Sequence, residues 1–362
     1  MKKVLLSMMT AAMCFASCTS DDATTIPEKN EVANNNQEEL VAIELGTGSI
    51  ASTTVVESRA AVDEWNANQI GVFALDRKEP WDETIDANDR PVLLNNELGT
   101  IGDPIETGSN KYAVNWAETK YYPRYSTRTY SFFAYHPYVA DEANIAFSNG
   151  NSIMVTGTFD GTQDIMVAHN ICPIETGYNA KYFRDAETNG TKVIPDLNFK
   201  HLTTRLMISV KAGHKYKPET CTIETLKMAV PNGYTLRVAS TDLALYPQEI
   251  RTWNSEMVET QFAENVALVE ANPGTGDYQK SEVIADILTK PSKNEGEIFE
   301  LILTLPGINE PIIAPVSLAN GGKFEAGKAY NVTLTINGPQ EIEVTASLTP
   351  WVIVGGEIDV VI

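Results

Sequence analysis

The sequence predicts a mostly β protein arranged as two sandwich domains. Three observations predict it. Short apolar runs with a period of two recur from residue 40 to residue 348. Clusters of Gly, Pro, Asn and Asp separate them, as expected for antiparallel sheets with one buried face. The chain has 362 residues, and roughly 150 residues per domain gives about two domains. Stretches with the 3.6-residue helical period are scarce; VDEWNANQ at 62–69 reads as a short helical turn.

The elements follow in order. Lys2 and Lys3 precede the short apolar run VLLSMMTAAMCFA, and Ala16 and Ser17 precede Cys18. This is the layout of a secretory signal over 1–17, too short for a spanning helix. Residues 18–39 carry no aromatic residue and are rich in Asn, Asp, Glu and Thr, a composition that reads as a flexible tether. LVAIELG then alternates through Val41, Ile43 and Leu45. IGVFAL (70–75), TYSFFAY (129–135), SIMVTG (152–157) and DIMVA (164–168) follow. HLTTRLMISV, FELILTL, AYNVTLTI and EIEVTASL continue the pattern in the second half. The turn-rich, charged stretch 173–195 places the boundary between an N-terminal sandwich, 40–189, and a C-terminal sandwich, 190–362.

One stretch stands apart. In YYPRYSTRTYSFFAYHPY (121–138) eight of eighteen residues are Tyr or Phe, against 8% aromatic in the chain. Tyr130, Phe132, Ala134 and His136 fall on one strand face; Ser131, Phe133 and Tyr135 fall on the other. Both faces are largely apolar, so the strand reads as central, with Tyr121, Tyr122 and Tyr125 returning beside it in a hairpin of aromatic pairs. Solvent-facing tyrosines for stacking on carbohydrate are the alternative.

Composition narrows the function. Hydrophobic residues are 43% and charged residues 21%, enough for a sizeable core, and the formal net charge is −21. An acidic surface of this size repels nucleic acid. The four histidines (His136, His169, His201 and His214) lie too far apart for a local metal clamp; His201 reads as a packed, hydrogen-bonded residue. HExxH, GxSxG and CxxC are absent. GTGDYQKS (274–281) lacks the glycine before Lys280 that a phosphate loop needs and reads as a turn. Neither an enzyme nor a cofactor is expected. Of four cysteines, Cys14 lies in the signal and Cys18 at its end, leaving Cys172 and Cys221 either joined or free. Arg59 sits among small residues in VVESRAAVDEWN, as in an exposed, cleavable loop. VIVGGEIDVVI (352–362) ends on alternating Ile358, Val360 and Ile362, either as the last strand of its own domain or as a strand given to a neighbour.

Several stretches together resemble known families. FASC at 15–18 resembles the lipobox of bacterial lipoproteins, which implies acylation of Cys18. The acidic residues after it are similar to a surface-export signal of Bacteroidota lipoproteins. The run Trp65 to Leu75, the stretch 121–138, QDIMVA (163–168), LNFKHLTTRLMISV (197–210), FEAGKAYNVTLTI (324–336) and LTPW (348–351) resemble, in order, the blocks of Bacteroidota fimbrillins. That resemblance implies two transthyretin-like β-sandwich domains in tandem, a type V pilus subunit or adhesin, and an outer-membrane, cell-surface location in a fimbrium. It also implies a lipid-anchored precursor, cut by an Arg-directed surface protease between Arg59 and Ala60. Loss of the first strand would then open a groove for a strand of another subunit, with Val354, Ile358, Val360 and Ile362 as donor candidates. The expected partners are copies of itself or related subunits, the protease, and a host protein or glycan. A surface-anchored glycan-binding lipoprotein that does not polymerise is the alternative.

Overall fold

The computed structural model describes residues 40–48, 65, 68–76, 91–107, 111–148, 151–172, 177–213, 222–268, 280–318, 321–338 and 341–349. The largest sheet has eight strands. In spatial order they are β10 (Lys200–His201), β8 (Met166–Asn170), β5 (Tyr130–His136), β2 (Gln69–Asp76), β3 (Val92–Pro104), β4 (Lys111–Trp116), β1 (Gly46–Gly48) and β9 (Asp196–Leu197). Neighbours are antiparallel except β1 and β9, which run parallel.

Three four-stranded sheets accompany it. One orders β16 (Ala285–Thr289), β11 (Thr204–Ala212), β19 (Ala329–Gly338) and β20 (Glu341–Thr349). A second orders β15 (Met257–Ala267), β12 (Thr222–Pro231), β17 (Phe299–Thr304) and β18 (Ile312–Val316). The third orders β14 (Glu249–Trp253), β13 (Gly233–Ser240), β7 (Ser152–Thr158) and β6 (Ile145–Ser148). The chain is therefore mostly β, as the alternation predicts. No helix among the described residues is long and apolar enough to cross a membrane.

Two apolar cores lie on opposite faces of the eight-stranded sheet. The strand pleat sends Ile70, Val72, Ala74, Tyr130, Phe132, Ala134, Met166 and Ala168 to the smaller core. Phe73, Leu75, Phe133, Tyr135, Ile165 and Val167 go to the larger one. Strands covered on both faces need apolar residues at every position, which is why β2, β5 and β8 read as continuous runs. β17 and β19 have one covered face, so buried Leu301 and Leu303 alternate with the less buried Glu300, Ile302 and Thr304, and Val332, Leu334 and Ile336 alternate with Asn331, Thr333 and Thr335. Gly71 is required where β2 passes β5: a Cβ there would lie 2.1 Å from the Tyr135 ring. The Tyr135 hydroxyl instead donates to Asn96 Oδ1 at 2.7 Å.

Two sequence expectations need correction. Tyr122 and the strand residues Tyr130–Tyr135 of the aromatic stretch are core, and the two strand faces divide as the pleat predicts, but the stretch is not a hairpin. Both edges of β5 are taken by β2 and β8, so Tyr121 pairs instead with Ala42. The connecting stretch 173–195 also contains a helix, α1 (Ala180–Thr188). Asn179 caps it by accepting from the Tyr182 amide at 2.9 Å. Phe183 packs its ring against Tyr122 and Tyr178.

Strands from both sides of residue 190 pair with each other: β7 with β13, β8 with β10, and β1 with β9. Several buried polar groups have close partners. Arg205 and Asp286 form a buried ion pair, with Arg205 Nη2 2.6 Å from Asp286 Oδ2 and Nε 3.0 Å from each carboxylate oxygen. His201 Nδ1 lies 2.7 Å from Asp164, and Thr203 donates to the same carboxylate. This is the packed, hydrogen-bonded histidine the sequence suggests. The helical turn at 62–69 and the loop at 274–281 lie largely outside the described residues.

Candidate functional site

Residues 40–48 form the candidate site. The segment lies in a slot between two later parts of the chain. On one side the Ile43 amide donates to Lys120 O at 2.8 Å and the Tyr122 amide to Val41 O at 3.0 Å. Further along, the Val114 amide donates to Leu45 O at 3.0 Å. On the other side the Gly46 amide donates to Pro195 O at 2.9 Å. Two indoles add bonds to the same backbone: Trp116 Nε1 to Ile43 O and Trp65 Nε1 to Gly48 O, each 2.8 Å.

The alternation read from the sequence decides what enters the core. Ile43 and Leu45 are each 2% exposed, and Thr47 is fully buried. Glu44 points outward and pairs with Lys192 at 2.9 Å. Gly46 is on the outward side too, yet it is buried. A Cβ at this position would meet Ile105 Cδ1 at 3.0 Å, Asp196 Oδ1 at 3.1 Å and Ile194 Cγ2 at 3.5 Å. Asp196 pairs with Lys111 through Oδ2; its Oδ1 is buried without a hydrogen-bond partner among the described residues.

Beneath the slot lies an aromatic shelf. Tyr122 meets Phe132 edge-on and Phe183 face-on, and Tyr178 contacts Phe132, Tyr182 and Phe183. Burial pushes the Tyr122 phenol well above its ordinary pKa, and Tyr178 and Cys172 add to the effect. It is a neutral packing group. At the rim, Tyr121 is 43% and Tyr125 76% exposed. Cys172 is a free, buried thiol beside Ser131; Cys221 lies outside the described residues. Among the described residues no cluster of three or more His, Cys, Asp or Glu is arranged to hold a metal ion.

Cys18, Arg59, Ala60, Val354, Ile358, Val360 and Ile362 lie outside the described residues. The structure does bring Val41, Ile43 and Leu45 together as one inserted segment. Sequence reasoning missed its partners: Trp65, Trp116, Lys192, Asp196 and Leu197. The only local signal was the glycine in ELGTG, and its meaning depends on residues far along the chain.

No curated protein sequence matches this one. A crystal structure of a candidate cell adhesion protein from Bacteroides uniformis is similar, with TM-score 0.51, 17% identity, and coverage of 87% of this chain and 99% of that one. At that identity it supports the fold alone. A candidate cell adhesion protein from Bacteroides ovatus aligns with TM-score 0.48 and 17% identity over 87% of this chain and 98% of its own. The fimbrial anchor protein Mfa2 from Porphyromonas gingivalis aligns with TM-score 0.35 and 12% identity over 85% and 98%. The model of the fimbrillin-like family matches residues 58–351. That family consists of structural proteins of cell-surface fimbriae that assemble with other fimbrial subunits, not of enzymes. The chain belongs to the fimbrillin-like family.

Proposed function

We propose that this chain is a fimbrial subunit precursor, exported as a lipoprotein acylated at Cys18 and activated by cleavage between Arg59 and Ala60. Cleavage releases residues 18–59, and with them the inserted segment 40–48 that contains β1. The opened slot then takes a strand from another subunit, with donor candidates in the C-terminal tail around Val354, Ile358, Val360 and Ile362.

One observation carries this reading. Residues 40–48 are bonded along both edges to later segments and bury Ile43 and Leu45, yet their covalent link to the rest of the fold runs through the stretch that holds Arg59. After a cut there, only non-covalent contacts hold the strand. An incoming strand restores the ladder and fills the same pockets, which is β-augmentation. Repeated head to tail, such a contact does not close and so builds a filament. Both exchangeable segments fall outside the family match, which begins at residue 58 and ends at 351.

The test is digestion of the mature chain with an Arg-specific protease, followed by intact mass and gel electrophoresis without boiling. A single cut after Arg59 with a ladder of SDS-resistant, heat-labile multimers is the expected result, and Arg59→Ala removes both. A cut protein that stays monomeric refutes polymerisation. The exposed Tyr121 and Tyr125 favour a second reading, an anchored glycan-binding lipoprotein. In that case the intact protein binds sugar and substitution of those tyrosines abolishes the binding.

A further inference from the structure

Position 46 restricts which strand the slot can accept. It faces away from the smaller core, where a strand residue would normally be free to vary, as Glu44 is. Instead Ile105, Ile194 and the unpartnered Asp196 Oδ1 close over it. A β-branched residue there would add two γ carbons beyond a Cβ that is already crowded. It would also press apolar atoms against a carboxylate oxygen that has no hydrogen bond. The two positions at 43 and 45 require the opposite, apolar side chains that fill buried pockets. The slot thus reads apolar, any, apolar, glycine.

Within residues 350–362 only Gly355 and Gly356 lack a Cβ. Setting Gly356 at position 46 puts Gly355 in the Leu45 pocket and leaves it empty. Setting Gly355 there puts Val354 in the Leu45 pocket, Val352 in the Ile43 pocket and Ile353 at the exposed site of Glu44. Pro350 then falls at position 41, where the bond to the Tyr122 amide uses only the carbonyl, so its missing N–H costs no bond there. The alternating end of the tail fits less well: Ile358 and Val360 at positions 43 and 45 bring Val361 to position 46.

We propose that the vacated slot takes residues 352–355 of a second copy of this chain, with Gly355 seated where Gly46 sits. This rests on the strand-exchange reading above and identifies its partner and register. The donor runs in the direction of β1, antiparallel to β4 and parallel to β9. A second copy is assigned as the donor because the chain's own tail leaves from the side of the larger core. β20 pairs with β19 and lies beside β18 on the larger core, whereas the slot borders the smaller core across the eight-stranded sheet. Residues 350 and 351 extend the chain from Thr349 by only about 10 Å before Val352.

The test uses the full mature chain, cut at Arg59, with substitutions in the tail alone. Gly355→Val reduces the multimer ladder at least tenfold, while Ile358→Ser with Val360→Ser leaves it unchanged. The reciprocal variant Gly46→Val, which crowds the resident strand, speeds release of the cleaved fragment in native mass spectrometry. If the natural chain forms the ladder and Gly355→Val still forms it, the register is wrong while strand exchange stands. If Ile358→Ser with Val360→Ser abolishes the ladder, the donor is the end of the tail and the proposal fails. If the natural chain forms no ladder, the strand-exchange reading fails first. A cleaved monomer whose stability drops on Gly355→Val has its own tail in the slot, which overturns the second-copy assignment.

Discussion

Leu45→Ala probes whether the first strand can leave while the rest of the fold stays intact. Leu45 is buried in the smaller core, and its carbonyl accepts from the Val114 amide. Truncation leaves a cavity and costs about 2–5 kcal/mol. At about 1.4 kcal/mol per factor of ten, release of residues 40–48 becomes roughly 30-fold to a few thousand-fold more frequent. Native-state amide exchange at Val114 and Tyr122, which donate to that segment, reads this directly. The informative control is Leu334→Ala in the larger core. Leu45→Ala weakens the native state relative to both the strand-released state and the unfolded state. Leu334→Ala weakens it relative to the unfolded state only, because a strand-released molecule keeps the larger core. Val114 and Tyr122 therefore speed up with Leu45→Ala and stay constant with Leu334→Ala. If Leu334→Ala accelerates them as much as it accelerates Ile208, the strand leaves only on global unfolding. A cut at Arg59 would then destroy the subunit rather than activate it.

Other consequences concern the larger core and pH. Asp286→Ala removes the carboxylate that pairs with buried Arg205 and lowers stability by about 3–5 kcal/mol in a urea titration; replacing both residues by apolar ones of similar volume costs much less. His136, partly buried with Nδ1–H donating to Gln69 O, has its pKa lowered by burial; the Gln69 bond and Asp164 oppose this and His201 reinforces it. Below pH about 6.5 the unfolded chain takes up a proton that the folded chain refuses. Stability present above that pH is therefore lost as pH falls toward the folded pKa. His136→Gln flattens this dependence, seen as a smaller difference in urea midpoint between neutral and mildly acidic buffer.

Much of the fold was legible locally because the pleat writes burial into the sequence. The run in β5 announced a strand covered on both faces, and the alternation in β17 and β19 announced strands covered on one; β2 and β8 were legible as strands but not as covered on both faces. The slot was legible only in half. Val41, Ile43 and Leu45 marked a strand, but nothing in them names Lys120, Val114 or Pro195 as the edges it would join. β9 has two residues, too few to show a period. Helix α1 escaped notice because Lys181, Arg184, Asp185 and Glu187 dominate it, and its contribution to the core is the pair Ala180 and Phe183. The aromatic hairpin failed for a related reason: residue types near β5 indicate burial, while the partner of each edge is settled by competition among distant strands. Gly46 closes the run LVAIELG, and nothing local showed it to be a point of close approach.

The parallel ladder between β11 and β19 has a consequence for synthesis. Arg205 aligns with Ala329, and Ala212 with Ile336, so a growing chain holds the first half of this ladder long before the second exists. β7 likewise waits for β13, and β1 for β9. Pairings so distant along the chain fold slowly. A polypeptide emerging from the ribosome therefore cannot close its larger core until nearly its last strand is made. Such a delay keeps the nascent chain incompletely folded, with the apolar residues of β11 uncovered, through most of its synthesis.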